Sequence, residues 1–351
     1  MSPKTNRRLE PGTGPARRCW RVLLWLRMVA PVGLAAGVPA ATAGGAAPLE
    51  LTRVIPLPDV QGRFDHFACD VAAGRLFVAA LGNNTLEVVD IERSQRTHSI
   101  AGLRKPTGVL FAAASQNIQV ANGDDGTVRA YRADTFALVT QFTGLDDADN
   151  MRFDAAARQV YVGYGDGALG VVDSALSRLV ASIPLPAHPE SFQLETRGDR
   201  IFVNVPDAHE ITVIDRVRQC VISHWPLGKF GANFPLALDE DAHRLFAGCR
   251  NPPRLVVLDT ATGRIVADLA ISGDTDDLFY DPPRHRLYVS CGAGFLDTIE
   301  CGTHDRYRRI AQQTTRAGAR TSYFAGEMDR LFLAVPKRGG LDAEIRVYRP
   351  R

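Results

Sequence analysis

The chain has 351 residues, of which 45% are hydrophobic and 23% are charged, a composition typical of a globular protein with a sizeable core. The formal net charge is +2, but the first 43 residues hold seven basic residues and one acid, which leaves 34 basic and 38 acidic residues in the remainder. A mildly acidic body without a basic stripe argues against nucleic acid as a partner.

The N-terminus has the pattern of an export signal. Three arginines at positions 17–21 are followed by the apolar run VLLWLRMVAPVGLAAGV and then by Ala41-Thr42-Ala43, a small-x-small cleavage pattern. We therefore predict a signal peptide over residues 1–43 and a short linker over 44–48. The mature protein is expected to be periplasmic or secreted, with no stable membrane span after cleavage. An uncleaved anchor is the alternative, although Arg27 and two prolines interrupt the apolar run.

Seven internal repeats organise the rest of the chain. Each repeat has an apolar strand, a Gly/Asn turn and a second alternating strand, as in RLFVAALGNNTLEVVD from Arg75 to Asp90. The equivalent anchor positions are Phe77, Gln119, Tyr161, Phe202, Phe246, Tyr288 and Phe332. Successive anchors are 41 to 44 residues apart, a period that predicts a repeat architecture.

Each repeat is predicted to form four short antiparallel strands. A short apolar strand such as MRFD comes first, and the anchor lies in the second strand. A tight turn leads to the third strand, and an alternating segment such as RLVASIPL forms the fourth. No stretch has convincing helical periodicity. The predicted fold class is therefore all-β, a seven-bladed β-propeller over residues 49–351 with four-stranded antiparallel blades.

The N-terminal segment of the repeat region is predicted to close the ring. The seventh repeat shows no fourth strand after EIRVYRP, whereas LELTRVIPLP, from Leu49 to Pro58, closely resembles the fourth strand RLVASIPLP, from Arg178 to Pro186. We expect this segment to pair with residues 344–350 and to complete the last blade.

The repeats resemble those of the YncE-like, YVTN-type seven-bladed propellers of bacteria. The resemblance rests on the RLFV, RIFV and RLYV strands, on the Gly/Asn turn, and on the VVD or VID that ends the third strand. This chain has VYVGYG and LYVSCG where the YVTN repeat has a Thr-Asn pair. The resemblance implies an exported propeller and implies no particular activity, because one propeller fold hosts many functions.

Comparing the repeats with one another separates scaffold positions from site positions. Seven residues before the anchors, five of seven repeats carry an acid, namely Asp70, Asp154, Glu195, Asp239 and Asp281. A carboxylate that recurs at the end of one strand is predicted to bond turn amides and to serve the scaffold.

Eleven and twelve residues before the anchors, the side chains differ between repeats and are rich in groups that ionise or chelate. The chain begins the innermost strand of each blade here, so we predict that these residues converge at one mouth of the central channel. With their neighbours they form the predicted ligand-binding set of His66, Lys105, Asp149, Asn150, His188, Glu190, Asn233, Asp276, Asp277 and Arg320. The alternative is that they form only the polar lining of a water-filled channel.

A divalent cation is a possible cofactor of this mouth. Carboxylate and amide oxygens suit a hard cation such as calcium, and the candidate ligands are Asp149, Asn150, Asp276 and Asp277. A histidine from the same set, His66 or His188, would favour a transition metal instead.

Two functions stay open at the level of the sequence. The first, which we favour, is an exported binding module that presents the polar mouth to a small molecule, a glycan or a protein partner. The second is a lactonase-like hydrolase or isomerase, by analogy with propellers of similar architecture. In that case His66 or His188 would act as general base and Glu190 as acid, and Arg320 would clamp a carboxylate.

Overall fold

The computed structural model describes residues 47–351 and shows seven four-stranded antiparallel sheets, one for each blade of a β-propeller. The predicted signal peptide over residues 1–43 lies outside the described residues, as does most of the linker over 44–48, so both stay predictions. Within the described range, no helix is long and apolar enough to cross a membrane.

The strands follow the repeats in chain order. Strand β1 is Leu49–Leu57. Blade 1 contains β2–β5, which are Phe67–Asp70, Arg75–Ala80, Thr85–Asp90 and Gln95–Ile100. Blade 2 contains β6–β9, which are Pro106–Ala112, Asn117–Asn122, Thr127–Arg132 and Leu138–Thr143. Blade 3 contains β10–β13, which are Met151–Asp154, Gln159–Tyr164, Ala168–Asp173 and Leu179–Pro184. Blade 4 contains β14–β17, which are Phe192–Leu194, Arg200–Val205, Glu210–Asp215 and Cys220–Pro226.

The remaining blades repeat the same arrangement. Blade 5 contains β18–β21, which are Gly231–Asp239, Arg244–Asn251, Pro253–Asp259 and Ile265–Ala270. Blade 6 contains β22–β25, which are Thr275–Asp281, Arg286–Cys291, Phe295–Cys301 and Tyr307–Thr314. Blade 7 contains β26–β28, which are Ser322–Ala325, Arg330–Val335 and Ala343–Pro350, together with β1. Short 3-10 turns join some strands, at Leu81–Asn83, Pro206–Ala208, Pro282–Arg284 and Gly326–Met328.

The N-terminal strand closes the ring, which confirms the prediction made from its sequence. Strand β1 pairs antiparallel with β28, so that Leu49 lies opposite Pro350 and Leu57 lies opposite Ala343. The side chains of Leu49, Ile55 and Leu57 are fully buried. The strand therefore supplies both the outer hydrogen bonds of blade 7 and part of its hydrophobic packing.

Seven hydrophobic clusters form the core, one between each pair of neighbouring blades. The six aromatic anchors lie in these clusters and face the following blade. Phe77, for example, packs with Ile118 and Val120 of blade 2, and Phe332 packs with Val78 of blade 1. Six of the seven anchors are fully buried aromatic rings. The aromatic anchors therefore fill six of the seven gaps between neighbouring blades.

The recurring carboxylates at the ends of the first strands serve the scaffold, as their recurrence predicts. Asp70, Asp154 and Asp239 each accept a hydrogen bond from the backbone amide three residues later. Asp281 instead accepts a 2.6 Å bond from the hydroxyl of Tyr288. These carboxylates hold turns and strands. The candidates for facing the channel are therefore the polar residues eleven and twelve positions before the anchors.

Candidate functional site

Two adjacent cavities lie at the innermost strands, and His66 lines both. The mouth cavity has a volume of about 130 Å³ and the channel cavity a volume of about 410 Å³. Six of the seven residues that stand twelve positions before the anchors line the mouth cavity, namely Asp65, Asp149, Glu190, Phe234, Asp276 and Arg320. Equal positions in different blades thus meet in one space, although the first and last are 255 residues apart in sequence.

A β-bulge at the start of the innermost strand explains why two successive side chains reach the cavity. The amide of Asp149 donates to the carbonyl oxygen of Gly163, and the amide of Gly163 donates to the carbonyl oxygen of Asn150. Two residues of one strand therefore oppose a single residue of the next, which is the defining geometry of a bulge. Blades 1 and 4 repeat the same pair of bonds. The bulge redirects side chains that would otherwise alternate between faces.

The structure brings most of the predicted ligand-binding residues together. Six of the ten line the mouth cavity, namely His66, Asp149, Asn150, Glu190, Asp276 and Arg320. Asp277 lines the channel cavity, and His188 stands beside the mouth with its Nε2 atom 3.8 Å from the Asp149 carboxylate.

Two predicted residues have a different setting. Lys105 forms a 2.7 Å ion pair with Asp147, and both side chains are partly exposed. Asn233 is fully buried, and its amide nitrogen donates to the Asn204 side chain at 2.8 Å and to the Glu210 carbonyl oxygen at 3.0 Å. Asn233 lines neither cavity and therefore supports the scaffold between blades 4 and 5.

The adjacent carboxylates Asp276 and Asp277 face different cavities. Asp276 is held by the guanidinium of Arg250, and Asp277 accepts a 2.7 Å bond from the amide of Ser322. Burial raises the pKa of Asp276 to about 6, although Arg250 lowers it. Burial also raises the pKa of Asp277 to about 7, with His66 acting in the opposite direction. The two carboxylates therefore have different partners and line different cavities, and their shared binding of calcium stays a prediction.

Sequence reasoning missed Arg250, which lines the mouth cavity from blade 5. Its guanidinium carbon lies 3.7 Å from the ring centroid of Phe234, and its Nε donates to the carbonyl oxygen of Thr275 at 2.7 Å. Four residues after the anchor, the other blades carry Leu81, Gly123, Gly165, Pro206, Gly292 and Pro336. A charged residue at a position that is otherwise small or apolar is the signal that could have found it.

A cluster of acids and histidines lies on one side of the mouth. Potential ligand atoms of Asp65, His66 and Asp149 lie within 4.8 Å of one another, and so do those of Asp149, His188 and Glu190. Burial raises the pKa of Glu190 well above its usual range, and the negative charge of Asp149 raises it further. The nearby carboxylate of Asp149 raises the pKa of His188, whereas burial lowers it. The cluster can hold a cation or a proton between its carboxylates.

A cation, the guanidinium of Arg152, lines the channel cavity. The guanidinium of Arg152 donates to the carbonyl oxygen of the preceding residue at 2.8 Å and lies 5.4 Å from the ring centroid of Phe192. None of its nitrogens forms an ion pair with a carboxylate in residues 47–351. Burial lowers the pKa of Arg152, although the charge of Asp277, which lines the same cavity, acts in the opposite direction. Aromatic walls, including Phe279 and Tyr323, complete the cavity.

Comparison with known proteins agrees with the repeats and the fold. No family model matches the chain. Two curated relatives, each described as the uncharacterized protein YncE, come from Salmonella typhi and Salmonella typhimurium. Each is 27% identical over an alignment of 238 residues that covers 63% of this chain and 66% of the relative. The chain is a seven-bladed propeller that is similar to YncE over this alignment. The alignment spans just under two thirds of the length of these relatives, and their names assign no activity.

Solved structures share the architecture at low sequence identity. A chain in the crystal structure of the mitotic checkpoint complex has a TM-score of 0.72 at 14% identity, covering 94% of this chain and 98% of that one. A chain of hydrazine synthase from Kuenenia stuttgartiensis has a TM-score of 0.70 at 15% identity, covering 81% of this chain and 97% of that one. At such identities the likeness shows the fold alone.

Proposed function

We propose that this protein is an exported binding module that admits a small organic anion through its polar mouth into the channel. The observation that carries the proposal is Arg152, a cation in a cavity of about 410 Å³ that has no carboxylate partner among the described residues. Taking a charge out of water is costly unless an opposite charge or several hydrogen bonds offset it. A ligand carboxylate beside Arg152 would provide that partner.

The walls of the channel cavity suit an anion with an apolar or aromatic body. Five aromatic side chains line it, namely Phe67, Phe111, Phe279, Tyr323 and Phe324. Its volume lies within the range of small-ligand pockets, about 300–1,000 Å³. The lining combines these aromatic side chains with polar groups, and polar groups placed among apolar walls orient small ligands. Asp277 and Gln193 also line the cavity and can fix the position of the ligand's polar end.

The position of Arg152 favours a small molecule over the other partners considered. A glycan chain or a protein surface would contact the mouth cavity, whose volume of about 130 Å³ is too small to hold either one. Such a partner would leave Arg152 unpaired. A hydrolase or isomerase would use the same cavity and would differ by releasing a changed product.

A titration with matched carboxylates and amides tests the proposal. A panel of aromatic and aliphatic monocarboxylates, each paired with its neutral amide, is titrated into the purified protein by calorimetry. We expect the carboxylates to bind more tightly than their amides. Arg152→Gln should weaken carboxylate binding at least tenfold, because losing one partner of a buried charge pair costs about 2–5 kcal/mol. Amide binding should change little.

Arg308→Gln is the matched control, because Arg308 is exposed on the outer strand of blade 6. Equal binding of acids and amides, or an Arg152→Gln variant that binds carboxylates like the parent, would contradict the proposal. Incubation with small lactones, followed by mass spectrometry of the products, separates binding from turnover.

A further inference from the structure

We infer that the channel mouth binds one divalent transition-metal cation through Asp149, His188 and Glu190. This inference goes beyond the proposed function, because none of the three ligands contacts Arg152 and the metal requires no organic ligand. Asp149 and Glu190 come from the bulged starts of blades 3 and 4, and His188 lies two residues before Glu190. The three residues place their ligand atoms within 4.8 Å of one another.

The spacing between His188 and Asp149 fits shared coordination better than a direct bond. The Nε2 atom of His188 lies 3.8 Å from Oδ2 of Asp149, which is too long for a hydrogen bond. Metal–nitrogen and metal–oxygen bonds of about 2.0–2.2 Å separate two ligand atoms of a tetrahedral site by roughly 3.3–3.6 Å. A movement of a few tenths of an ångström would therefore bring both atoms to coordination distance.

The hydrogen bond on the other side of the imidazole prepares His188 as a ligand. Its Nδ1 atom lies 2.6 Å from the carbonyl oxygen of Gly165. A carbonyl oxygen only accepts hydrogen bonds, so Nδ1 carries a proton, and in the neutral ring the lone pair is on Nε2. Metal-binding histidines commonly have this arrangement, because the backbone bond fixes both the tautomer and the ring orientation.

Glu190 is available for coordination. Its carboxylate forms no hydrogen bond or ion pair with another side chain of residues 47–351, although it shares the mouth cavity with Asp65, Asp149 and Asp276. Carboxylates that face one another without a cation repel. A divalent ion between Glu190 and Asp149 would remove that repulsion.

Asn150 provides an independent indication of a bound ligand. It lines the mouth cavity, only 1% of its surface is exposed, and its Oδ1 atom receives no hydrogen bond from the described part of the chain. Buried polar atoms of this kind normally have a partner. An amide oxygen beside Asp149 can coordinate a cation directly or accept a bond from water on the cation. The mixed imidazole and carboxylate set favours zinc or manganese over calcium.

Calorimetry on untagged protein that has been stripped with EDTA tests the inference. Zn²⁺, Mn²⁺ and Ca²⁺ are titrated separately as the metal alone. We expect one Zn²⁺ or Mn²⁺ per chain, with Ca²⁺ at least tenfold weaker. His188→Gln and Asp149→Asn should each weaken transition-metal binding at least tenfold. His224→Gln is the matched control, because His224 is exposed on an outer strand and pairs with Glu210 there.

Two further variants keep the test decisive. Glu190→Gln should fold like the parent, because the carboxylate has no hydrogen-bond or ion-pair partner to lose among residues 47–351. It should also weaken metal binding at least tenfold. Arg152→Gln should bind the metal like the parent. Metal binding and organic-anion binding are therefore tested by different variants, and either proposal can fail without the other. The inference is overturned if no metal binds stoichiometrically. It is also overturned if Glu190→Gln, or a folded His188→Gln variant, binds the metal like the parent, or if Ca²⁺ binds as tightly as Zn²⁺ and Mn²⁺.

Discussion

The closing strand offers the sharpest test of the fold through the substitution Ile55→Ala. Ile55 lies in β1 opposite Ile345 of β28, is fully buried, and packs in the cluster between blades 7 and 1. Replacing a buried isoleucine by alanine typically costs about 2–5 kcal/mol, which combines the lost transfer free energy with the cavity that remains. Proteins usually have about 5–15 kcal/mol of total stability, so the expected loss is a large fraction of it.

The neighbouring residue supplies the control. Val54 lies on the opposite face of β1 and is 45% exposed. Val54→Ala changes the same strand without opening a cavity, so it should alter the free energy of unfolding by no more than about 0.5 kcal/mol. Urea unfolding followed by circular dichroism would measure both variants. We expect the Ile55→Ala midpoint to fall with an unchanged slope, because the area exposed on unfolding is nearly the same.

A small effect of Ile55→Ala would refute this account of the ring. If it destabilised the protein by less than about 1 kcal/mol, or no more than Val54→Ala, β1 would not be packed in solution. Blade 7 would then have only three strands, and its exposed edge should make the parent itself prone to aggregation.

Three further outcomes are expected. Burial raises the pKa of Asp277 to about 7 in the folded protein, above its value in the unfolded chain. Between about pH 4 and pH 7 the folded protein therefore holds a proton that the unfolded chain has released, and the free energy of unfolding falls as the pH rises through this range. In urea unfolding across that range, the stability of Asp277→Asn relative to the parent should increase with pH. A constant difference between the two free energies of unfolding would contradict this. Gly108→Ala should destabilise the protein by roughly 1–3 kcal/mol, because the new Cβ would lie 2.2 Å from the carbonyl oxygen of Asp149. Gly340→Ala meets no atom within 4 Å and should melt like the parent in a thermal scan. N-terminal sequencing of protein from the native host should show that residues 1–43 are removed, and an intact N-terminus on cytosolic protein would be the opposite result.

The position of each candidate residue along the channel could be predicted from the repeats, but the direction in which its side chain points could not. Residues at one offset from the anchors occupy equivalent places in a closed ring, which is why Asp149, Glu190 and Asp276 meet in one cavity. The direction of a side chain depends on the bulge and on neighbours from other blades. Asp276 therefore turns to Arg250, whereas Asp277, the next residue, enters the channel cavity.

The sequence alone determined the seven blades and the closing strand, because aromatic anchors recur at a nearly constant period and strand patterns can be matched to one another across the whole chain. Only the tertiary structure decided which polar residues act together. Arg152 lies in a strand whose sequence, MRFD, indicates scaffold, and it became a candidate because it lines the channel cavity and forms no ion pair with a carboxylate of residues 47–351. The sequence offered both His66 and His188 as metal ligands, and the structure favours His188 because the carbonyl oxygen of Gly165, 23 residues away, fixes its tautomer. Such relations depend on distances of a few ångströms between blades, and no single repeat contains them.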